Sequence, residues 1–203
     1  GLYEYFRMRN AYDPVLEFAY NHGVEPEITK QMMEFAGFQP KKVYVETLGA
    51  FTVYQGKDRQ KLLKFRSRKE RELLAFLLDA GDREATKEQI HNAIWWDSES
   101  SNIKNLIAVN LRHLKNDLGS AGIAKSVICQ GNRYFICRDE IECDFEIFER
   151  VYEEFKRHNT GVQARELLSL YRGEYLADLE AIWAAAKRIR YHEIYEEAKN
   201  YQY

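Results

Sequence analysis

The order of the hydrophobic patterns between residues 42 and 139 is the feature that most restricts how this chain can fold. Alternating apolar side chains beginning at Val43 predict short antiparallel strands, and three helical patterns follow them. Two short apolar runs then flank Gln130-Gly131-Asn132-Arg133, which is typical of the turn of a β-hairpin. Strands, a helix, a short helix, a long helix and a hairpin, in this order, predict a winged helix-turn-helix.

Polar residues and glycines indicate where the three helices begin and end. Ser67 is the expected N-cap of the first helix, and Thr86 with Gln89 three residues later predicts a capping box at the start of the second. The third helix is predicted over residues 100–118, after a serine-rich linker, and Gly119 is expected to end it.

The long helix separates into two chemically different sides when its residues are projected at about 100° per residue. One arc is apolar and is expected to be buried: Ile103, Leu106, Ile107, Leu111, Leu114 and Leu118. The opposite side carries Asn105, Val109, Arg112 and Asn116. The two flanks of that side carry Lys104, Ala108 and Lys115 on one edge and Asn102 and His113 on the other.

The outward side of this helix is basic, rich in amides and free of acidic residues, and its chemistry fits the major groove of double-stranded DNA. Arginine bridges guanine, asparagine bridges adenine, valine methyls contact thymine, and lysines at the edges bind phosphates. The predicted DNA-binding residues are Lys104, Asn105, Ala108, Val109, Arg112, His113, Lys115, Asn116, Trp96, Gln130 and Arg133. An ordinary solvated helix face and a purely structural hairpin remain the alternatives. One of Trp95 and Trp96 is expected to lie in the core.

Charge is distributed unevenly along the chain. Residues 43–138 carry 16 Lys/Arg against 11 Asp/Glu, a net +5, whereas residues 139–203 carry 9 against 15, a net −6. A basic block beside an acidic one indicates a polyanion-binding domain joined to a second module. No segment is long and apolar enough to span a membrane, so a cytoplasmic protein with no membrane partner is predicted. The three cysteines lack a framework spacing and are expected to be reduced, and no metal or cofactor site is predicted.

The segment before the winged-helix region is predicted to be helical. Asp13-Pro14 and Glu25-Pro26 each open a pattern of apolar residues at helical spacing, and the second pattern ends at Gly37. The apolar stripes of this helical hairpin need a partner. Residues 1–41 are therefore interpreted as the tail of an upstream domain that is missing from this chain.

Residues 140–203 contain three amphipathic helical patterns. The first ends near Asn159-Thr160-Gly161 and the second ends at Gly173. The third, longer pattern is marked by Ile182, Trp183, Ile189, Ile194 and Tyr195. Helices of this size joined by short turns are typical of arrays of helical pairs. The predicted division of the chain is 1–41, 42–139 and 140–203.

Short motifs in the middle region resemble the OmpR/PhoB-type winged helix. They are Leu48-Gly49-Ala50-Phe51, the Leu73-Leu74 helix, residues 90–95, residues 111–119 and the hairpin containing Gly131 and Tyr134. With Asp144 and Phe148, Arg172-Gly173-Glu174-Tyr175-Leu176 and Trp183, residues 43–203 resemble antibiotic-regulatory, SARP-type transcriptional activators. The resemblance implies that a bacterial transcriptional activation domain of tetratricopeptide-like helices follows the winged helix. We expect this domain to be truncated in this chain.

Two stretches differ from the pattern of that family. Its recognition helices end in a denser arginine cluster than Arg112-His113-Leu114-Lys115-Asn116. Gln130 and Arg133 stand where the family's wing carries an arginine and a second glycine. Because fewer cations would contact DNA, we expect modest affinity for this fragment.

The predicted fold is mainly α with small antiparallel β-sheets: a winged helix-turn-helix followed by a tetratricopeptide-like helical domain. The predicted function is sequence-specific double-stranded DNA binding and transcription regulation, with activation favoured. Promoter DNA is the predicted partner, and RNA polymerase and a second copy of the chain are candidate partners. The alternative is a protein-interaction module whose winged helix no longer binds DNA. An enzyme is not predicted, because the five histidines are scattered and no nucleophile motif, phosphate-binding loop or HExxH is present.

Overall fold

The computed structural model of the protein describes residues 15–16, 18–20, 22–36, 41–56, 59, 61–81, 83–99 and 101–201. The chain forms two compact units, residues 1–41 and residues 42–203, and each is described by itself. The further division predicted at residue 139 stays a prediction, since the winged-helix region and the tail lie in one unit.

The first unit contains helix α1, which comprises Pro26–Ala36. Residues 15–16 and 18–20 are also helical, so both predicted helical patterns are present in the described residues. Asp13-Pro14 and Gly37 lie outside the described residues. Of the predicted apolar side of α1, Met33 is buried, whereas Ile28, Met32 and Phe35 are exposed.

The second unit has seven strands and six further helices in its described residues. The strands are β1 (Val43–Glu46), β2 (Thr52–Gln55), β3 (Lys61–Leu62), β4 (Ala85–Thr86), β5 (Val127–Gln130), β6 (Arg133–Ile136) and β7 (Ile141–Cys143). The α-helices are α2 (Arg68–Ala80), α3 (Lys87–Ile94), α4 (Ile103–Gly119), α5 (Asp144–His158), α6 (Gly161–Leu170) and α7 (Ala185–Tyr201). Short 3-10 turns comprise Ala124–Ser126 and Ile182–Ala184.

The strands form a four-stranded sheet, β3-β2-β1-β7, and a three-stranded sheet, β4-β6-β5. All pairs are antiparallel except β1 with β7, which run parallel. The prediction of purely antiparallel sheets is therefore wrong for this pair. A parallel pair requires a long crossover connection, and here the whole winged-helix core provides it.

Side-chain caps fix the start of two winged-helix helices, as the sequence predicts. The Ser67 hydroxyl accepts a hydrogen bond from the Glu70 amide (3.1 Å) at the start of α2. The Thr86 hydroxyl accepts from the Gln89 amide (3.2 Å), while the Gln89 side chain accepts from the Thr86 amide (2.8 Å). This reciprocal pair confirms the predicted capping box of α3.

The apolar side of the long helix is buried as predicted. Ile103, Ile107, Leu111, Leu114 and Leu118 are all buried in the core, and only Leu106 is half-buried. Helix α4 begins at Ile103 rather than at residue 100, because the Asn102 amide closes a turn on the Glu99 carbonyl (3.0 Å). Burial of this side fixes which residues of α4 face outward.

The first tail helix ends where the sequence predicts, because α5 ends at His158 and Asn159, with φ 49°, forms its left-handed C-cap. The next helix, α6, begins at Gly161. In the third pattern Ile194 is buried as expected, whereas Ile182 and Ile189 are exposed. Tyr191, which the pattern did not include, is buried on α7.

A long segment, residues 171–184, joins α6 to α7 where a short turn was expected. This segment runs along the loop between β1 and β2. The Leu176 amide donates to the Thr47 carbonyl (2.8 Å), and the Ala177 amide donates to the Gly49 carbonyl (2.9 Å). Gly49 has φ 127°, a conformation that favours glycine, and its own amide donates to the Glu174 carbonyl (3.2 Å).

The buried carboxylate of Asp144, the first residue of α5, connects the tail to the same loop. Its Oδ1 accepts from the Thr47 amide (2.7 Å) and hydroxyl (2.6 Å), and its Oδ2 accepts from the Leu48 amide (3.1 Å). Arg172 donates to Oδ2 (2.9 Å) and also contacts Glu46 (2.7 Å). Burial raises the pKa of Asp144, and these donors oppose the rise.

Replacing Asp144 tests how much this connection contributes. In Asp144→Asn an NH₂ group replaces one carboxylate oxygen and faces the donors of Thr47, Leu48 and Arg172. At least one of these buried donors therefore loses its acceptor. We expect the free energy of unfolding to fall by about 3 kcal/mol, measured by urea denaturation. Asp97→Asn, in an exposed turn, is the matched control and should change stability by less than about 0.5 kcal/mol. Equal stability of the two variants would contradict this role for Asp144.

A second buried acid, Glu70, connects α2 to α4. Its Oε2 accepts from the Arg66 amide (3.0 Å). Its Oε1 and the Asp117 Oδ2 on α4 are both buried, and a proton on one carboxyl lets the two side chains share a hydrogen bond. Burial raises the pKa of Glu70 to about 7; the Arg66 amide opposes the rise, and the nearby Asp117 carboxylate adds to it.

This pKa predicts that stability depends on pH near neutrality. Between pH about 4.5 and 7 the native protein holds a proton on Glu70 that the unfolded chain releases, so stability falls as pH rises through this window. Glu70→Gln mimics the protonated form and should remove the fall, on the order of 1–3 kcal/mol between pH 5 and 8. Urea titrations across this range, with Glu153→Gln on the exposed side of α5 as control, measure it. Parallel pH profiles for Glu70→Gln and the native chain would refute the assignment.

Within the part of the chain that the structure describes, no helix has the length and apolar character needed to cross a membrane.

Candidate nucleic-acid interface

The outward side of α4 is open to solvent along its length. Lys104, Asn105, Ala108, Val109, Arg112, Lys115 and Asn116 are all exposed, and His113 is half-buried. Val109 is 42% exposed, which is high for an aliphatic residue in a helix with an opposite side buried in the core. None of the cations Lys104, Arg112 and Lys115 forms an ion pair with another described residue.

The turn between α3 and α4 separates the two tryptophans as expected. Trp95 is buried and its amide ends α3 by donating to the His91 carbonyl (2.9 Å), while Trp96 is 71% exposed. The His91 ring contacts the Ser98 carbonyl (3.0 Å), which fixes the turn. Trp96 lies beside Ile182 and Trp183 of the tail, where the three line a hollow of about 720 Å³. Trp96 therefore has apolar neighbours, whereas a contact between its indole N–H and a phosphate would need none.

The predicted wing is present as the hairpin β5–β6. Gln130 pairs with Arg133 across a two-residue turn in which Gly131 has φ 64°, a conformation that favours glycine. Both Gln130 and Arg133 are exposed. Tyr134 is buried and pairs with Ala85, so the hairpin is held against the core through β4.

Two acidic residues near this surface were missed by the sequence analysis. Glu84 contacts Arg133 of the wing (3.2 Å), because the pairing of β4 with β6 brings them together. Glu99 lies just before α4, beside Asn102 and Asn105. The proximity of Glu99 to α4 could have been read from the sequence, whereas that of Glu84 to the wing depends on strand pairing.

The cysteines and histidines do not converge on a site in the residues the structure describes. Cys129 is exposed, Cys137 is half-buried and Cys143 is buried, and the three form no disulfide with one another. Among the described residues, no cluster of three or more His, Cys, Asp or Glu side chains could hold a metal ion. The predicted DNA-binding residues of α4, Trp96 and the hairpin residues Gln130 and Arg133 are all exposed, apart from the half-buried His113.

The fold has a counterpart among solved structures. No family model matches the chain, and no curated protein matches it. The chain is similar in structure to Mycobacterium tuberculosis EmbR, which was solved in complex with a low affinity phosphopeptide, with a TM-score of 0.65 and 20% sequence identity. The match covers 78% of this chain and 44% of the EmbR chain.

At this level of identity the similarity concerns the fold. The chain shares its fold with EmbR over the matched region, and this fold is mostly helical with small antiparallel and mixed sheets. Because the chain spans less than half the length of the EmbR chain, activity and partners are matters for proposal.

The Glu84–Arg133 contact generates a prediction about the wing. If Arg133 contacts a DNA phosphate, as the sequence predicts, Glu84 competes with that phosphate, and Glu84→Gln should tighten binding to a DNA duplex about two- to fivefold at low salt. Fluorescence anisotropy with a labelled duplex measures the change. Glu88→Gln, the same charge change on an exposed residue of α3, is the control. If both variants tighten binding equally, general charge rather than release of Arg133 is responsible.

Proposed function

We propose that this protein binds double-stranded DNA sequence-specifically and regulates transcription, with α4 inserted in the major groove. One observation carries the proposal: the basic, amide-rich side of α4 is exposed along its length, while the opposite apolar side is buried. A helix with this arrangement presents Asn105, Val109 and Arg112 together on a rigid support. The side chains have the donors, acceptors and methyl groups that read base edges.

The elements around α4 support the same function. Lys104 and Lys115 lie at the edge of the exposed side, where phosphates flank the major groove. The hairpin carries Gln130 and Arg133 exposed to solvent, and in this proposal they contact the DNA backbone or the minor groove. The similarity of the fold to EmbR and the resemblance of the sequence to SARP-type activators agree with this proposal.

The acidic helical tail fits a role in activation. It carries a net charge of −6 over residues 139–203, which opposes contact with DNA and favours a protein partner. RNA polymerase and a second copy of the chain are the partners that this role implies. In this proposal α4 and the wing bind promoter DNA, and the tail contacts the partner.

The dependence of DNA binding on salt tests the proposal. Each phosphate neutralised steepens the slope of log Kobs against log salt concentration by about 0.9. Anisotropy titrations with a promoter duplex at several salt concentrations should give a slope corresponding to several phosphates. A flat dependence, or no binding at low salt, would rule out the proposed function.

Arg112 gives the sharpest single-residue test. If Arg112 bridges a guanine, Arg112→Ala should weaken binding to a specific site by about 1–3 kcal/mol and relax base preference at that position. Lys115→Ala should weaken binding to all sequences alike, because a phosphate contact carries no sequence information. Arg150→Ala, on the exposed side of α5, is the matched control and should bind as the native chain does. Unchanged specificity in Arg112→Ala would remove this residue from base recognition.

The second candidate function, a protein-interaction module, is favoured by one specific observation. Trp96 and Ile182, the latter 77% exposed, line a hollow between the turn of the winged helix and the tail. Exposed apolar groups of this size commonly mark a protein contact. If this were the main function, Ile182→Asp would abolish promoter activity in cells while Arg112→Ala and Lys115→Ala left it intact.

A further inference from the structure

A shallow hollow lies along one flank of α4, at its N-terminal half. It is lined by the polar side chains of Glu99, Asn102 and Asn105 and by the apolar Leu106 and Val109. Its volume is about 460 Å³, which is large enough to admit the edges of nucleotide bases.

The two flanks of α4 differ in charge. One carries Lys104 and Lys115, both exposed and neither in an ion pair with a described residue. The other carries the hollow, whose rim holds the exposed carboxylate of Glu99. Among the described residues, the Glu99 carboxylate accepts only the Ser101 hydroxyl (3.4 Å), which leaves most of its acceptor capacity available.

This asymmetry restricts how a duplex can meet the helix. A phosphate placed against the Glu99 flank would lie close to a like charge in a partly dehydrated groove, which is unfavourable. A phosphate placed against the Lys104 flank is attracted. The duplex must therefore lie with a phosphate backbone along the lysine flank and with base edges over the hollow.

The donors and acceptors of the hollow indicate which base edges fit. A carboxylate only accepts hydrogen bonds, and in the major groove the base edges that donate are the exocyclic amino groups of adenine and cytosine. The amides of Asn102 and Asn105 supply acceptors and donors next to it, and the Val109 methyls suit a thymine methyl. Guanine presents only acceptors in the major groove and is therefore disfavoured at this position.

We propose that Glu99, with Asn102, is a specificity-determining residue that selects a base carrying an exocyclic amino group, adenine or cytosine, and excludes guanine beside the N-terminal half of α4. This inference rests on the proposed function and extends it to residues outside the predicted set. In this arrangement the two flanks of α4 have different roles: one flank contacts phosphates and the other contacts base edges.

Selection from a duplex library tests the proposal. A library of duplexes with a randomised central 20 base pairs, about two helical turns of DNA, is enriched separately on the native chain, on Glu99→Ala, which removes every acceptor of this side chain, and on Glu153→Ala. Glu153 is exposed on α5, so its variant makes the same charge change far from α4. Anisotropy titrations then compare the enriched duplex with versions in which one adenine is replaced by purine, which lacks the 6-amino group, or one cytosine by its analogue without the 4-amino group.

Three outcomes are informative. The proposal expects one position at which removal of the amino group weakens binding by the native chain and by Glu153→Ala about fivefold or more, but leaves binding by Glu99→Ala unchanged. If Glu99→Ala enriches the same site with the same base preferences, or tightens binding to all duplexes alike, Glu99 only repels phosphate and the proposal is overturned. If the native chain enriches no site and shows no salt-dependent binding, the proposed function fails and the role of Glu99 fails with it.

Discussion

The buried carboxylate of Asp144 is the constraint on which the rest of the structure depends. Asp144 lies in the first turn of α5. Its carboxylate oxygens accept hydrogen bonds from Thr47 and Leu48, which follow β1, and from Arg172, which follows α6. A buried charge of this kind is stable only while all its donors are in place. The carboxylate therefore fixes the tail to the winged helix in one orientation, and residues 171–184 extend the same contact along the β1–β2 loop.

Further ionic contacts show which side of the winged helix the tail covers. Arg71 on α2 donates to Asp178 (2.6 Å), which in turn accepts from the Phe51 amide (2.7 Å). Lys187 and Tyr175 meet at Asp79, at the other end of α2 (2.8 and 2.9 Å). These contacts use the sheet and α2 and leave the outward side of α4 open.

The features that the sequence predicts well are those set by neighbours in the chain. The caps at Ser67 and Thr86 depend on residues three positions away, and the leucine side of α4 repeats within a single helix. The parallel pairing of β1 with β7, by contrast, joins residues about a hundred positions apart, and no local pattern records it. The burial of Tyr191 on α7 belongs to the same class, because it depends on packing against α5 through Glu149 and Phe148. The outward residues of α4 follow from the projection of a single helix, whereas the proximity of Glu84 to Arg133 depends on the pairing of β4 with β6.

The parallel pairing of β1 with β7 also affects how the polypeptide can be divided. Between residues 43 and 45, one edge of β1 is covered only by a strand that ends at Cys143, immediately before the tail helices. A fragment cut at residue 139 would leave that edge with unsatisfied amides and carbonyls, which recruit strands from other molecules and promote aggregation. On the ribosome, too, this edge stays open until the start of α5 has been synthesised. The four-stranded sheet of the winged helix is thus complete only after the chain has been synthesised up to the start of the tail helices.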